Sequence, residues 1–416
     1  SRMRLRILLT VSCMIPPRYR SRTKYGTGSP ADRQGLPPEG VRRPSVPGAG
    51  SPRPPAPARA PGGRAGTLSA MSRASFALPE GPVLGIETSC DDTAAAVLLG
   101  RRVLSCVVSS QAEHLPFEGV VPELASRAHV RLIDPVVRQA LGEANMEWRD
   151  IAGIAATHAP GLIGSLLVGL TFAKTAAAAR GIPFIGVNHL EAHLVSVLLS
   201  EPGIEPPLVG LLASGGHTEI VEAREWHRYR ILGSTRDDAA GEAFDKVAIL
   251  LRLGYPGGPA IDRLARHGNP RAVAFPRARL EPDSLDFSFS GLKTAVRNHV
   301  KARGAAESLP EAERADVAAS FQEAVVEVLA EKLLRAAEQA RVSTVVLAGG
   351  VAANRALRER LGGASAAKGW AFAVPELRYC GDNGAMVALA GAMRLARGET
   401  SAWDLPAVPT LLQTTF

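Results

Sequence analysis

Several things are scarce in this 416-residue sequence, and each scarcity excludes something. The four cysteines, Cys13, Cys90, Cys106 and Cys380, form no CxxC pair and no closely spaced framework. A cysteine-built zinc module and a disulfide-stapled secreted domain are thereby excluded, and a reducing cytosolic compartment fits best. Apolar runs of membrane length are also missing. The nearest approach, LIGSLLVGLTFAKTAAAA from 162 to 179, is interrupted by Lys174 and rich in Gly and Ala, which favours a closely packed core helix over a membrane span. Acidic residues are scarce at one end only. Of the 48 Lys and Arg, 13 fall in residues 1–70 against Asp32 and Glu39, so the other 346 residues carry 35 basic and 38 acidic side chains. The net charge of +8 therefore belongs to the N-terminal segment. The rest is nearly neutral, and any contact with RNA must come from a local patch or a partner.

Residues 1–80 lack a periodic apolar pattern. Stretches such as SPRPPAPARAPGGRAG cannot bury enough surface to order themselves, so a disordered Pro/Arg-rich extension outside the fold is expected. Its opening, MRLRILLTVSCMIPPRYRSR, is basic then apolar, as in a signal or mitochondrial transit peptide. The chain begins with Ser, Met71 stands shortly before the first strand, and no small-residue cleavage site follows the apolar run. An over-extended reading frame with its native start at Met71 is the preferred expectation. Mitochondrial targeting is the alternative to a cytoplasmic location.

What is present points to an α/β class. From residue 83 onward, β-rich apolar runs alternate with Ala-rich helical runs, as in folds with largely parallel sheets. Laying Gly85 of VLGIETSCDDTAAAVLL on Gly210 of LVGLLASGGHTEIVEA, at an offset of 125, also superposes Ser89 on Ser214 and Thr93 on Thr218 without a gap. Each copy reads as strand, polar turn, returning strand. A duplicated two-lobed fold follows, with lobes at 81–207 and 208–416 and a last helix that packs back on the first lobe.

The chemistry-bearing stretches begin with HLEAHL. His189 and His193, four apart, share one face of a helix and can hold one ion. Glu191 falls on the opposite face, so this is not the HExxH pattern of a zinc peptidase. Two imidazoles need a third ligand, and Asp382 of CGDNGAMVALAGAM is the candidate. There a strand-like run, ELRYC, meets an Ala-rich helix, and spacing alone makes Asp382 or Asn383 a helix N-cap. The turns ETSCDDT and ASGGHT expose backbone N–H groups and hydroxyls suited to an anion. APGLIGS, GYPGGPAID and VVLAGGVAANRALRERL are glycine-rich entries to helices, and together with the turns they suggest a nucleotide between lobes. In GSTRDDAAGEAFDK, Asp237 and Asp238 read as caps of the following helix and Asp245 as a solvated partner of Lys246. FSFSGLKTAV is not a Walker loop, because Gly291 and Lys293 are not adjacent.

GIETSCDDT, HLEAHL, SGGHTEIV, GSTRDDAAGEAFDK, GYPGGPAID, FSFSGLKTA, AGGVAANRALR and CGDNGAMVA, in this order over about residues 83–395, resemble the TsaD family of tRNA threonylcarbamoyladenosine synthase subunits. The family was formerly called O-sialoglycoprotein endopeptidases, and DDAAGEAFDK is similar to its bacterial or mitochondrial branch. The resemblance implies an actin-like, sugar-kinase-like two-lobed fold with a nucleotide cleft. It implies transfer of a threonylcarbamoyl group from threonylcarbamoyl-AMP to N6 of adenosine 37 in tRNAs reading ANN codons. It makes His189, His193 and Asp382 the ligands of one divalent metal per subunit, Fe(2+) by preference and Zn(2+) as the alternative. It carries substrate contacts over to Leu212, Ala213, Ser214, Gly215, Gly216, Asp245, Gly258, Asp262 and Asn354. Asp91 and Asp92 are the candidate catalytic carboxylates, Asp92 standing where many relatives have Glu. The implied partners are tRNA, the paralogous actin-like subunit TsaB and the small ATPase TsaE, with no membrane. Two other functions compete: a metallopeptidase, which would lack the adjacent Glu base, and a non-catalytic nucleotide-binding scaffold, which would leave tRNA unmodified.

Overall fold

The computed structural model describes residues 79–410, apart from 118, 279, 282 and 305–308. The extension expected over 1–80, with its targeting and start-site readings, lies outside the described residues except for its last two positions.

Two five-stranded sheets repeat one plan. The first contains β1 (Val83–Glu87), β2 (Asp92–Leu99), β3 (Arg102–Ser110), β4 (Gly153–Ala159) and β5 (Phe184–Asn188), in the order β3-β2-β1-β4-β5. The second contains β6 (Leu208–Ala213), β7 (Thr218–Glu225), β8 (Arg228–Ser234), β9 (Thr344–Ala348) and β10 (Ala371–Ala373), in the order β10-β9-β6-β7-β8. In each, an antiparallel meander is followed by strands added in parallel on the other side of the first strand. The offset read from the sequence survives in the register. Gly85 pairs with Ala96, and Gly210, 125 residues on, pairs with Val221. β6 is a continuous apolar run and β1 is apolar up to Glu87; both are buried throughout, as central strands covered on both faces must be.

The helices fill three layers around these sheets. α1 (Pro122–Glu143) and α2 (Ile163–Arg180) cover the outer face of the first sheet. α4 (Ala240–Leu250), α5 (Gly257–Ala265), α6 (Ser290–Ala302), α7 (Glu311–Ala340) and α8 (Arg355–Ala367) build the largest core, on the outer face of the second. α3 (His189–Val195) and α9 (Gly384–Leu395) lie between the sheets, in a core shared by Val83, Ile185, Leu208 and Val346. α2 packs only one face, with Ile163 and Leu167 half exposed on the other, so the expected core helix is a covering helix. Among the described residues no helix is long and apolar enough to cross a membrane.

Small residues set the position of α9. A Cβ on Gly85 would stand 2.2 Å from the Gly384 carbonyl oxygen, one on Gly384 would stand 2.5 Å from the Ala95 backbone, and one on Gly391 would meet Ala155 Cβ at 2.3 Å. Helix and sheet backbones therefore approach more closely than larger residues would allow. α9 lies against β1, β2 and β4, and its entry is held at the end of the first sheet. That entry is not strand-like: ELRYC contains a short 3-10 turn over Leu377–Tyr379.

Candidate metal centre and cleft

The residues of interest follow the carboxyl ends of parallel strands, where open α/β sheets place their ligands. Thr88–Asp91 follow β1, His189 follows β5, Ser214–His217 follow β6 and Gly349–Asn354 follow β9.

Asn188 closes β5 and caps α3, its Oδ1 accepting from the N–H groups of Leu190 at 2.8 Å and Glu191 at 3.2 Å. His189 is thereby the first helical residue, and His193 lies one turn on. The two rings meet edge to face with centroids 4.6 Å apart. At α9 it is Asn383 that caps, accepting from Met386 N–H at 2.9 Å. Its neighbour Asp382 turns instead to the histidines, with Oδ1 3.0 Å from His193 Nε2 and 3.6 Å from His189 Nε2. The capping alternative for Asp382 is thus answered by the next residue. The three ligand atoms lie within 4.8 Å of one another. Two imidazole nitrogens and one carboxylate oxygen suit a single divalent transition metal and leave coordination positions for a substrate.

Sequence reasoning passed over Glu87, which is fully buried at the end of β1. It accepts from Ser89 N–H at 2.5 Å, from the Thr157 hydroxyl at 2.7 Å and from His189 Nδ1 at 2.9 Å. Its signal was a carboxylate closing an otherwise apolar strand, VLGIE. Burial opposes the charge of His189, but Glu87 and Asp382 outweigh it and raise its pKa to about 9. Burial likewise opposes ionisation of Asp382, and the attraction of His189 and the hydrogen bond from His193 hold the carboxyl well below its usual range. His217, whose ring centroid is 6.5 Å from that of His189, is pushed down to about 4 by burial and by the two histidines.

The ETSCDDT turn is braced from α1. His129 Nε2 meets the Cys90 carbonyl at 2.9 Å and so carries the proton, while Nδ1 meets the Thr93 hydroxyl at 2.8 Å. Asp92 opens β2, and burial followed by the charge of Asp382 pushes its pKa up to about 7. Burial raises the pKa of Asp245 and of Tyr255, and the charge of Asp91 adds to the rise at both. Ser214 and His217 close the second turn on each other, and its ends hold α4: Gly241 N–H donates to Ser214 O, and Ala240 N–H to Thr218 Oγ1. Gly215 and Gly216 are exposed, with open space where a Cβ would stand. Leu212 and Ala213 are buried strand residues, paired within the second sheet, so they set the position of the turn that follows rather than offering a surface of their own.

The remaining candidates differ from expectation in detail. Asp245 is not a solvated partner of Lys246. It accepts from Gly257 N–H at 2.7 Å, joining α4 to α5, and Lys246 pairs with Asp238 and Glu242. α4 has no side-chain cap. Asp237 holds the start of α6 instead, accepting from Phe289 N–H at 2.8 Å, Ser290 N–H at 3.2 Å and the Ser288 and Ser290 hydroxyls. Gly258 has open space around it. Asp262 accepts from Arg266 through Oδ2, while its buried Oδ1 has no hydrogen-bond partner. Asn354 caps α8 through Leu357 N–H and donates to Gln322 Oε1, so its side chain is already engaged at both ends.

A family model described as TsaD, tRNA N6-adenosine threonylcarbamoyltransferase, matches residues 102–389. A tRNA N6-adenosine threonylcarbamoyltransferase of Desulfitobacterium hafniense (strain Y51) is 54% identical over 332 residues, covering 79% of this chain and 96% of that protein. Its counterpart in Clostridioides difficile (strain 630) is 50% identical over 330 residues, covering 79% and 97%. Among solved structures, HypF of T. kodakarensis aligns with a TM-score of 0.52 at 15% identity, over 77% of this chain and 48% of that one. Full-length HypF in its phosphate- and nucleotide-bound form aligns at 0.51 and 14% identity, over 79% and 48%. The chain spans about half the length of these HypF proteins, and the likeness speaks for the fold alone.

Proposed function

Because the chain belongs to the tRNA N6-adenosine threonylcarbamoyltransferase family, and is a transferase acting on tRNA, we propose that its reaction centre is the cleft around His189, His193 and Asp382. The donor is threonylcarbamoyl-AMP and the acceptor N6 of adenosine 37 in tRNAs reading ANN codons. The observation that carries this reading is the convergence of both Nε2 atoms and Asp382 Oδ1 beside the turn of His217, whose Gly215 and Gly216 are exposed.

The adenine amino group is a poor nucleophile, so the reaction needs a good leaving group and tight placement. AMP supplies the first, and holding both reactants in one cleft is worth roughly 7 to 11 kcal/mol. His189, His193 and Asp382 would hold Fe(2+), with Zn(2+) as the alternative, and the bound ion would orient and polarise the threonylcarbamoyl oxygens. The exposed backbone of Gly215 and Gly216, at the turn that Ser214 shapes after the strand end at Leu212 and Ala213, receives the donor's carboxylate or developing oxyanion. Asp245, Gly258, Asp262 and Asn354 hold the adenylate, Asp262 through its unpartnered oxygen and Asn354 through the rim of its cap. Asp91 or Asp92, in the ETSCDDT turn, takes the N6 proton.

We assign the lobes to 81–207 and 208–416, with α9 returning to the first. The near-neutral body is supported by partners for tRNA binding, the paralogous subunit TsaB and the ATPase TsaE. The three free thiols among the described residues, Cys90, Cys106 and Cys380, favour the cytoplasm. The peptidase alternative lacks its base, since Glu191 is buried against His227 at 2.6 Å on the far side of α3.

The test is complementation of a depleted strain with His189→Ala, read by mass spectrometry of tRNA nucleosides, beside metal analysis of anaerobically purified protein. Loss of the modified nucleoside with the fold retained is expected. Full modification by the variant would remove the metal from the mechanism.

A further inference from the structure

Among the described residues, Glu87 is the one buried carboxylate that touches His189, His193 or Asp382 without belonging to that set. We propose that Glu87 is a positioning residue of the metal centre, holding His189 in the tautomer and ring orientation that turn Nε2 toward the ion. This deepens the metal reading above and rests on it.

The argument starts from proton bookkeeping on a single contact. A carboxylate has no proton to give, so across the 2.9 Å between Glu87 Oε2 and His189 Nδ1 the ring must be the donor. A neutral imidazole with its proton on Nδ1 carries a lone pair on Nε2, the atom that lies 3.6 Å from Asp382 Oδ1. The Ser89 hydroxyl, 3.2 Å from the same Nδ1, either donates or accepts and cannot by itself decide the tautomer. Glu87 is fixed in turn, because Thr157 Oγ1 donates to the same Oε2 at 2.7 Å and Ser89 N–H donates to Oε1 at 2.5 Å. His193 has no equivalent hold among the described residues, where its buried Nδ1 lacks a hydrogen-bond partner.

The duplicated fold supplies a control. At the offset of 125, Glu87 of β1 corresponds to Leu212 of β6, and both side chains are almost fully buried. The same strand position is thus filled by an apolar residue in the copy that has no histidine helix after it. A buried carboxylate is costlier than a leucine of similar volume, so the strand does not require Glu87 for packing. The difference between the copies is the imidazole it faces, and a carboxylate on the distal nitrogen of a metal-bound histidine raises the basicity of the ligating one.

Anaerobic titration of the purified full chain with Fe(2+), and separately Zn(2+), against a chromophoric chelator tests this. Glu87→Gln keeps the shape and is expected to weaken metal affinity about 10-fold or more. Its zinc-loaded form should also lose the slowly exchanging His189 Nδ1–H signal that the parent shows in long-range proton–nitrogen spectra. If Glu87→Gln does not fold, Thr157→Val, which removes one of the donors that fix Oε2, decides instead, with a loss of a few-fold expected. Affinity equal to the parent's in the folded variant overturns the proposal, as does a lowered Tm with the affinity and Nδ1–H signal unchanged. A parent protein that binds neither metal, or a His193→Ala variant that binds as tightly as the parent, fails the metal reading itself and takes this proposal with it.

Discussion

Asp382 Oδ1 stands 3.0 Å from His193 Nε2, across 189 positions of chain, while Asn383 beside it caps α9. Two adjacent residues therefore do separable work. Asn383→Ala should lower stability by about 1 kcal/mol through loss of the cap, seen as a reduced Tm with transfer per folded molecule retained. Asp382→Ala also strands two buried histidines and should lower Tm, but it should in addition reduce tRNA modification per folded molecule by at least roughly 100-fold in single-turnover assays, which Asn383→Ala should not. Equal behaviour of the two variants would contradict this division.

Gly257 and Gly258 make a second neighbouring pair with opposite surroundings. A Cβ on Gly257 would stand 2.5 Å from Asp245 Cα, whereas one on Gly258 meets nothing within 4 Å. Gly257→Ala is expected to destabilise the protein by about 1 to 3 kcal/mol through overpacking. Gly258→Ala should leave Tm unchanged and raise the KM for threonylcarbamoyl-AMP several-fold. A Gly258→Ala enzyme with parental KM would remove that residue from the donor site.

Behind the metal helix, Glu191 accepts from His227 at 2.6 Å and Tyr229 at 3.3 Å and lies 3.5 Å from Arg394. Removing one side of such a buried charged group strands the others. Glu191→Ala should cost about 3 to 5 kcal/mol of unfolding free energy in urea, which tests whether the far face of α3 anchors it between the sheets.

Glu219 gives a pH dependence of defined sign. Burial alone raises its carboxyl from 4.5 to about 7, so between those values the folded chain binds more protons than the unfolded one. Its contribution is harmless below pH 4.5, and stability falls as pH rises toward 7. Glu219→Gln should match the parent near pH 4.5 and exceed it above pH 7 by at most about 3 kcal/mol. A stability difference independent of pH across that window would refute the assignment.

Much of this was legible in the chain because it is local or repeats at a fixed offset. The 125-residue repeat announced two like sheets, and it holds down to the pairing of Gly85 and Gly210. Four-residue spacing put His189 and His193 on one face and Glu191 on the other before any coordinates. Where neighbours compete for one local role, spacing was silent or misleading. It did not choose between Asp382 and Asn383 as the cap, it assigned Asp237 to α4 when that residue holds α6, and it took Asp245 for a solvated partner of Lys246.

The sequence by itself determined the fold class, the duplication and the pairing of two histidines on one helix face, since periodicity, glycine placement and residue spacing are properties of short stretches. Only the tertiary structure decided which carboxylate meets the histidines, that Glu87 grips His189 from behind, and that Asn354 is already engaged by Leu357 and Gln322. Apart from the local Asn354 cap, those relations join residues at least 32 positions apart and as many as 189 between His193 and Asp382 or 102 between Glu87 and His189, and they exist because the carboxyl ends of β1, β5 and β6 open on one side while Gly85, Gly384 and Gly391 let α9 settle against the first sheet.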